Sequence, residues 1–137
     1  MKPNIKTKYN TAVLIDDNNI DNFINEQMLT ITSFSKQRFI ATNGQLALNL
    51  IHNLTSSRET GEQIYPDILF VDINMPVMDG MQFIREFRKI DDDHLQRCKI
   101  VVLTSSIHED DRERVRQIDP AIAFIHKPLT VALLKNL

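Results

Sequence analysis

The chain has 137 residues. That length suits one domain, which can bury about two-thirds of its unfolded surface without a disulfide or structural metal. Hydrophobic residues make up 42% and charged residues 25%, both ordinary for a soluble globular protein, and the formal net charge of −2 gives no overall pull toward nucleic acid or an anionic membrane. The single cysteine, Cys98, cannot close an internal disulfide, which fits a reducing cytoplasm, and no apolar run approaches the ~20 residues of a membrane span.

Met1 to Asn10 is polar and basic with no apolar stretch behind it, so it is not a signal peptide and is expected to be a short flexible lead-in. Ala12-Val13-Leu14-Ile15 is the first short apolar run. Ile20, Phe23, Ile24 and Met28 then recur on one face at helical spacing, as an amphipathic helix requires. Arg38-Phe39-Ile40-Ala41 is a second run, the weakest, as expected at a sheet edge. Leu46, Leu50, Ile51 and Leu54 mark a second helix, with capping-box spacing between Thr42 and Gln45. Thr55 to Pro66 reads as an exposed loop, longer than the usual ~4–6 residues.

Ile68-Leu69-Phe70-Val71 is a third run. Asp79 can cap a helix opened by Gly80, whose face is Phe83, Ile84, Phe87 and Ile90. Ile100-Val101-Val102-Leu103 follows, and Ser106 with Glu109 repeats the capping-box spacing. From His108 to Ile118 only Val115 and Ile118 are apolar, with acids early and arginines late to suit the helix dipole, so this helix should be thinly anchored. Ala121-Ile122-Ala123-Phe124-Ile125 is the fifth run, and a last apolar stretch begins at Leu129 and is cut short at Leu137. Three of the five runs lack polar alternation, as strands buried on both faces of a parallel sheet do. Strand and helix alternating five times predicts a doubly wound α/β fold with a parallel sheet and helices on both faces.

In such sheets the functional crevice lies at the carboxyl ends of the strands. Asp16 and Asp17 follow the first run, Asp72 the third, Thr104 the fourth, and Lys127-Pro128 stand just past the fifth. Singly, each has a plain reading as cap, turn or solvated surface. Jointly they bring three carboxylates, a hydroxyl and an ammonium to one edge. Carboxylates gathered there repel one another, and such a cluster suits a hard divalent cation that takes oxygen ligands, such as magnesium.

At these spacings the chain resembles the response-regulator receiver family of two-component signalling. The carrying motifs are Leu14-Ile15-Asp16-Asp17-Asn18, Val71-Asp72-Ile73-Asn74-Met75-Pro76-Val77-Met78-Asp79-Gly80, Leu103-Thr104-Ser105 and Lys127-Pro128. The resemblance covers Thr11 to Leu137, and it implies a flavodoxin-like, five-stranded sheet in the order 2-1-3-4-5, as in chemotaxis regulators. It implies that Asp72 accepts a phosphoryl group from a phosphohistidine on a sensor kinase or phosphotransfer protein. Asp16, Asp17, Asp72 and the backbone carbonyl of Asn74 would hold magnesium or manganese. Thr104 would bond the phosphoryl group, and Lys127 would pair with Asp72 and then with a phosphoryl oxygen. The peptide bond before Pro128 is often cis in the family. Phe124 stands at the family's switch aromatic, and the face from 106 to 127 would meet a downstream protein. Asn74 and Ser106 would flank the path of hydrolytic water.

Other readings are weaker. A flavin carrier of the same topology needs a Ser/Thr/Gly-rich phosphate loop after the first strand, where this chain has acids. A nucleotide switch needs G-x-x-x-x-G-K-[ST], which does not occur. An Asp-based phosphatase needs a second Asp where Asn74 stands. A degenerate receiver acting as a phosphorylation-independent binding module would have no use for an intact acidic pair, Asp72, Thr104 and Lys127. His52, His94, His108 and His126 share no ligand spacing and are expected on the surface, with His126 beside Lys127 but pointing away from the crevice. Cys98 has no evident basic partner and is expected to be inert. No helix-turn-helix fits after Leu137, so direct nucleic-acid binding is not expected, and the start at Met1 favours a stand-alone, cytoplasmic receiver.

Overall fold

The computed structural model describes residues 7–56, 61–75, 77–105 and 108–137. Five strands, β1 (Tyr9–Ile15), β2 (Ser35–Ala41), β3 (Ile68–Asp72), β4 (Lys99–Thr104) and β5 (Ala123–His126), form one parallel sheet in the order β2-β1-β3-β4-β5. The five apolar runs all became strands, and the weakest lies at an edge. Tyr9 and Asn10, expected in the lead-in, already belong to β1, where Tyr9 is in register with Ser35.

Side chains alternate between two cores, as the pleat demands. Val13, Ile15, Leu69, Val71, Ile100 and Val102 face α2 (Gly44–Thr55), α3 (Gly80–Arg88) and α5 (Glu109–Ile118). Ala12, Leu14, Ile68, Phe70, Val101 and Leu103 face α1 (Asn19–Ile31) and α6 (Val131–Lys135). A one-turn helix missed by periodicity, α4 (Asp93–Gln96), precedes β4 and is capped by Asp92. Among the described residues no helix is long and apolar enough to cross a membrane.

The helix α1 presents a different face from the one expected, and α2 departs from expectation at Leu46 and at its cap. In α1 the buried residues are Asn22, Asn25 and Leu29, while Ile20 and Phe23 are 70% and 64% exposed and Ile24 is also exposed. The entry to the helix explains the rotation. Asn18 caps it by accepting from the backbone N–H groups of Ile20 and Asp21, and the Asn22 amide donates to the Asp16 carbonyl at 2.8 Å. Those polar bonds turn the stripe beginning at Ile20 outward, leaving Met28 half-buried against the core. In α2 the cap is Asn43, which accepts from Leu46 N–H, rather than Thr42. The buried face there is Gly44, Ala47 and Ile51, so Leu46 is exposed.

The helix α3 keeps its expected face, and Asp79 forms a capping box with Gln82. Its Arg88 donates to the carbonyls of Leu95, Gln96 and Cys98 and pairs with Asp119 at 3.0 Å, joining α3, α4 and the end of α5. In α5, Val115 is buried and Ile118 half-buried; the position before the helix is His108, with no side-chain cap, and the expected cap Ser106 lies outside the described residues.

Gly80 lies where β3 hands over to α3, and its N–H donates to the Ile73 carbonyl at 2.9 Å. A methyl group there would stand 2.1 Å from the Asp72 carbonyl oxygen and 2.8 Å from Ile73 Cα. Backbone cannot yield as a flexible side chain can. Gly80→Ala should therefore lower stability by roughly 2–4 kcal/mol, read as a lower urea midpoint, and displace Asp72 amide resonances.

Candidate functional site

The crevice forms where the strands end. Asp16 follows β1 directly, Asp72 ends β3, Thr104 ends β4 and Lys127 follows β5. Asp16, Asp72 and Thr104 are buried at 3%, 6% and 1% exposure, and Asp17 is exposed at the rim. One carboxylate oxygen from each of Asp16, Asp17 and Asp72 lies within 4.8 Å of the others. Backbone donors fix two of these groups: Asn18 N–H donates to Asp16 Oδ1 at 2.9 Å, and Asn74 N–H to Asp72 Oδ1 at 3.2 Å.

Lys127 is the cation of the crevice. Its Nζ lies 2.6 Å from Asp16 Oδ2, 3.0 Å from Asp21 Oδ2 and 3.4 Å from Asp72 Oδ2. The expected pairing with Asp72 is present but is the longest of the three. The main-chain N–H of Lys127 donates to the Thr104 carbonyl at 2.9 Å, and the bond to Pro128 is cis. The His126 side chain is exposed, away from this cluster.

Asp21 was not among the candidates from sequence. It lies four residues beyond Asp17, in the first turn of α1, where an acid is most simply explained by the helix dipole. The signal that would have found it is positional. The same turn follows directly from the acidic pair and so opens onto the crevice.

The electrostatics are unbalanced toward negative charge. Burial, and then the neighbouring Asp16 charge, push the Asp72 carboxyl from 3.8 up to about 6, against the pull of Lys127 and the Asn74 N–H. Burial disfavours the Lys127 cation, but its bonds to Asp16 and Asp21, with the charge of Asp72, more than offset this and raise its pKa. The donor set is all oxygen, converges from two strand ends and carries more charge than one ammonium neutralises. Asp16, Asp17 and Asp72 therefore fit a divalent cation of the magnesium type.

Thr104 and Phe124 lie on adjacent strands, with Val102 opposite Phe124 and His126 opposite Thr104. Phe124 is half-buried against the core under α5, and the Arg112 guanidinium of α5 lies 5.5 Å from its ring centre. Cys98 is buried, and burial pushes its thiol up to about 12 despite nearby Arg88, as an inert thiol requires.

The Asp72 shift carries a stability consequence for the metal-free protein. An unfolded carboxyl ionises near 3.8 and this folded one near 6, so the folded state binds the proton more tightly. Stability therefore falls as pH rises through that window and levels off above it. In chelator, Asp72→Asn should be more stable than wild type by about 1–3 kcal/mol at about pH 7.5 and barely different at about pH 4. Urea unfolding at the two pH values measures this, and equal gains at both would refute it.

Known proteins agree with this architecture. The family model described as the response regulator receiver domain matches residues 12–137. The response regulator Rcp1 of Synechocystis is 27% identical over 99 residues, which are 72% of this chain and 64% of that protein. Hybrid signal transduction histidine kinase M of Dictyostelium discoideum is 31% identical over 121 residues, which are 85% of this chain but 5% of that protein. The chain thus spans less than two-thirds of either relative. A solved two-component response regulator from Cytophaga hutchinsonii superposes with a TM-score of 0.81 at 26% identity, covering 96% of this chain and 94% of that one. A family match running through every strand, on a sheet whose ends gather the acidic pair, the β3 aspartate, the β4 threonine and the β5 lysine, means that this chain belongs to the response-regulator receiver domain family.

Proposed function

We propose that this receiver takes a phosphoryl group from a phosphohistidine donor onto Asp72 in a magnesium-dependent reaction and signals by changing conformation. The observation that carries the proposal is the convergence of Asp16, Asp17 and Asp72 within 4.8 Å, with the Lys127 ammonium 3.4 Å from the Asp72 carboxylate. An Asp72 oxygen attacks phosphorus in line. The O–P bond forms as the N–P bond to the donor imidazole breaks, and the imidazole keeps the electron pair and takes a proton. Magnesium, or manganese, held by Asp16, Asp17, Asp72 and the Asn74 carbonyl, would supply positive charge to the transferring oxygens. Lys127 adds a second positive charge, and the Thr104 hydroxyl bonds the phosphoryl group once it is in place. Hydrolysis of the acyl phosphate by water, near Asn74, resets the switch; Ser106, which the family resemblance also implicates, lies outside the described residues. The chain thus catalyses its own phosphorylation and dephosphorylation.

The donor would be a sensor kinase or histidine phosphotransfer protein in the cytoplasm. Relatives that are themselves histidine kinases support the pairing. The exposed Ile20, Phe23 and Ile24 of α1, beside the crevice, offer an apolar surface for it. A downstream protein would meet the face between 106 and 127, of which 106 and 107 lie outside the described residues. The reading as a phosphorylation-independent module is disfavoured by the complete charge set.

With acetyl phosphate and magnesium, the intact mass should rise by one phosphoryl group, which mild base removes. Asp72→Asn should abolish the gain and Asp17→Ala should slow it strongly. Labelling that persists in Asp72→Asn, or resists base as phosphoserine does, sinks the proposal.

The switch has its own test. Drawing the Thr104 hydroxyl toward a phosphoryl group opens space on the sheet face that Phe124 shares, and a ring without a hydroxyl can move inward at little desolvation cost. The helix α5, anchored by Val115 and Ile118, is the element free to respond. With a fluoroberyllate mimic, changes in amide exchange should cluster in 108–127 and shrink in Thr104→Ala. Changes confined to the loops around Asp16 and Asn74 would exclude this coupling.

A further inference from the structure

We propose that Asp21 is the positioning residue for Lys127 during phosphoryl transfer to Asp72; the inference rests on the function proposed above. Three carboxylates share the Lys127 ammonium, at 2.6 Å (Asp16), 3.0 Å (Asp21) and 3.4 Å (Asp72). Two of them, Asp16 and Asp72, belong to the set that fits a divalent cation, and Asp21 does not. A bound cation withdraws charge from Asp16 and Asp72, so their hold on the ammonium weakens when the lysine is needed. Asp21 alone keeps its full charge for Lys127, through a hydrogen bond at 3.0 Å.

The local chain makes Asp21 a firm anchor. Its main-chain N–H is bound by Asn18 Oδ1 at 3.0 Å, and the Asn18 N–H is bound by Asp16 Oδ1 at 2.9 Å. The first turn of α1 is thereby fixed to the crevice itself. Lys127, by contrast, reaches the site on a flexible four-carbon stem carrying three donors. With one donor held by Asp21 and one by Asp16, the third is directed toward Asp72, where a phosphoryl oxygen can replace a carboxylate partner. The contact spans 106 residues of sequence, from the start of α1 to the end of β5, so no local structure imposes it. Asp21 is about one-third exposed and Lys127 mostly buried, so solvent weakens the pair without dissolving it.

The competing explanation is that Asp21 only stabilises the first turn of α1 as an acid at a helix N-terminus. That role would not depend on Lys127. Phosphorylation from phosphoramidate should be followed by intact mass across a magnesium titration carried to saturation. The proteins are wild type, Asp21→Asn, Asp21→Ala, Lys127→Met and the double variant Asp21→Ala/Lys127→Met. Asp21→Ala should slow phosphorylation about tenfold, the scale of one charge-assisted hydrogen bond, with an unchanged magnesium half-saturation point. Asp21→Asn, whose amide oxygen still accepts the bond, should lose less. Adding Asp21→Ala to Lys127→Met should bring no further loss.

A second readout needs no turnover. The two ε-methylene protons of Lys127 should be inequivalent in the magnesium-loaded wild type and average to one signal in Asp21→Ala. A wild-type rate in Asp21→Ala, losses that multiply in the double variant, or ε-methylene signals that stay distinct in Asp21→Ala would each overturn the proposal. Wild type that fails to label at Asp72 would instead overturn the function on which it rests.

Discussion

The organisation of the crevice follows from one imbalance of charge: the mostly buried ammonium of Lys127 faces Asp16, Asp21 and Asp72, with Asp17 at the rim. Buried carboxylates without enough cation are costly, and the Asp72 carboxyl, pushed up to about 6, records that cost. The fold tolerates it because the apolar strands behind the crevice need no help from it. Val13, Leu69, Val71, Val101 and Val102 are wholly buried, on both sides of the sheet. Stability is concentrated in the sheet and the charge surplus at one edge. On the proposed function, a cation or a phosphoryl group arriving there would meet charged groups already in place, so little reorganisation would be needed.

The parts legible in the sequence were those where local chemistry and tertiary position agree. Short apolar runs rich in β-branched residues, alternating with helical segments, read as strands of a covered parallel sheet. Chain order then places whatever follows each run at the same edge. Asp16, Asp72, Thr104 and Lys127 were identifiable for that reason, without any knowledge of their contacts. Asp79 was identifiable as a cap because a cap acts within its own turn, and the structure adds a box with Gln82 that the sequence reading did not single out.

The failures share one cause. Periodicity finds an apolar stripe on a helix but does not say which side the stripe faces. In α1 the stripe from Ile20 to Ile24 lies outside and two asparagines lie inside, because Asn18 caps the Ile20 and Asp21 N–H groups while the Asn22 amide donates to the Asp16 carbonyl, and together they fix the rotation of the helix. In α2, Asn43 displaced Thr42 as the cap, and Leu46 was left outside. Asp21 escaped notice because its partner is 106 residues away, and a first-turn acid already has a sufficient local explanation. Contacts between distant elements leave no mark in a local pattern.

The inverted α1 is also where structure and function meet. A helix with an apolar inner face could have packed more tightly on the sheet. It could not have supplied the Asn22 amide to the Asp16 carbonyl, or set Asp21 against Lys127, from the same orientation. Turning the polar residues inward builds one wall of the crevice and leaves Ile20, Phe23 and Ile24 outside, a few residues from the acidic pair. One helix then carries two tasks on opposite faces. On the proposed function, the inner face would align charged groups for phosphoryl transfer, and the outer face would offer apolar area to the donor. Under that reading, substitutions on the outer face would change which donor docks without disturbing the lysine on the other side. Specificity can thus vary along this helix while the chemistry beneath it stays the same.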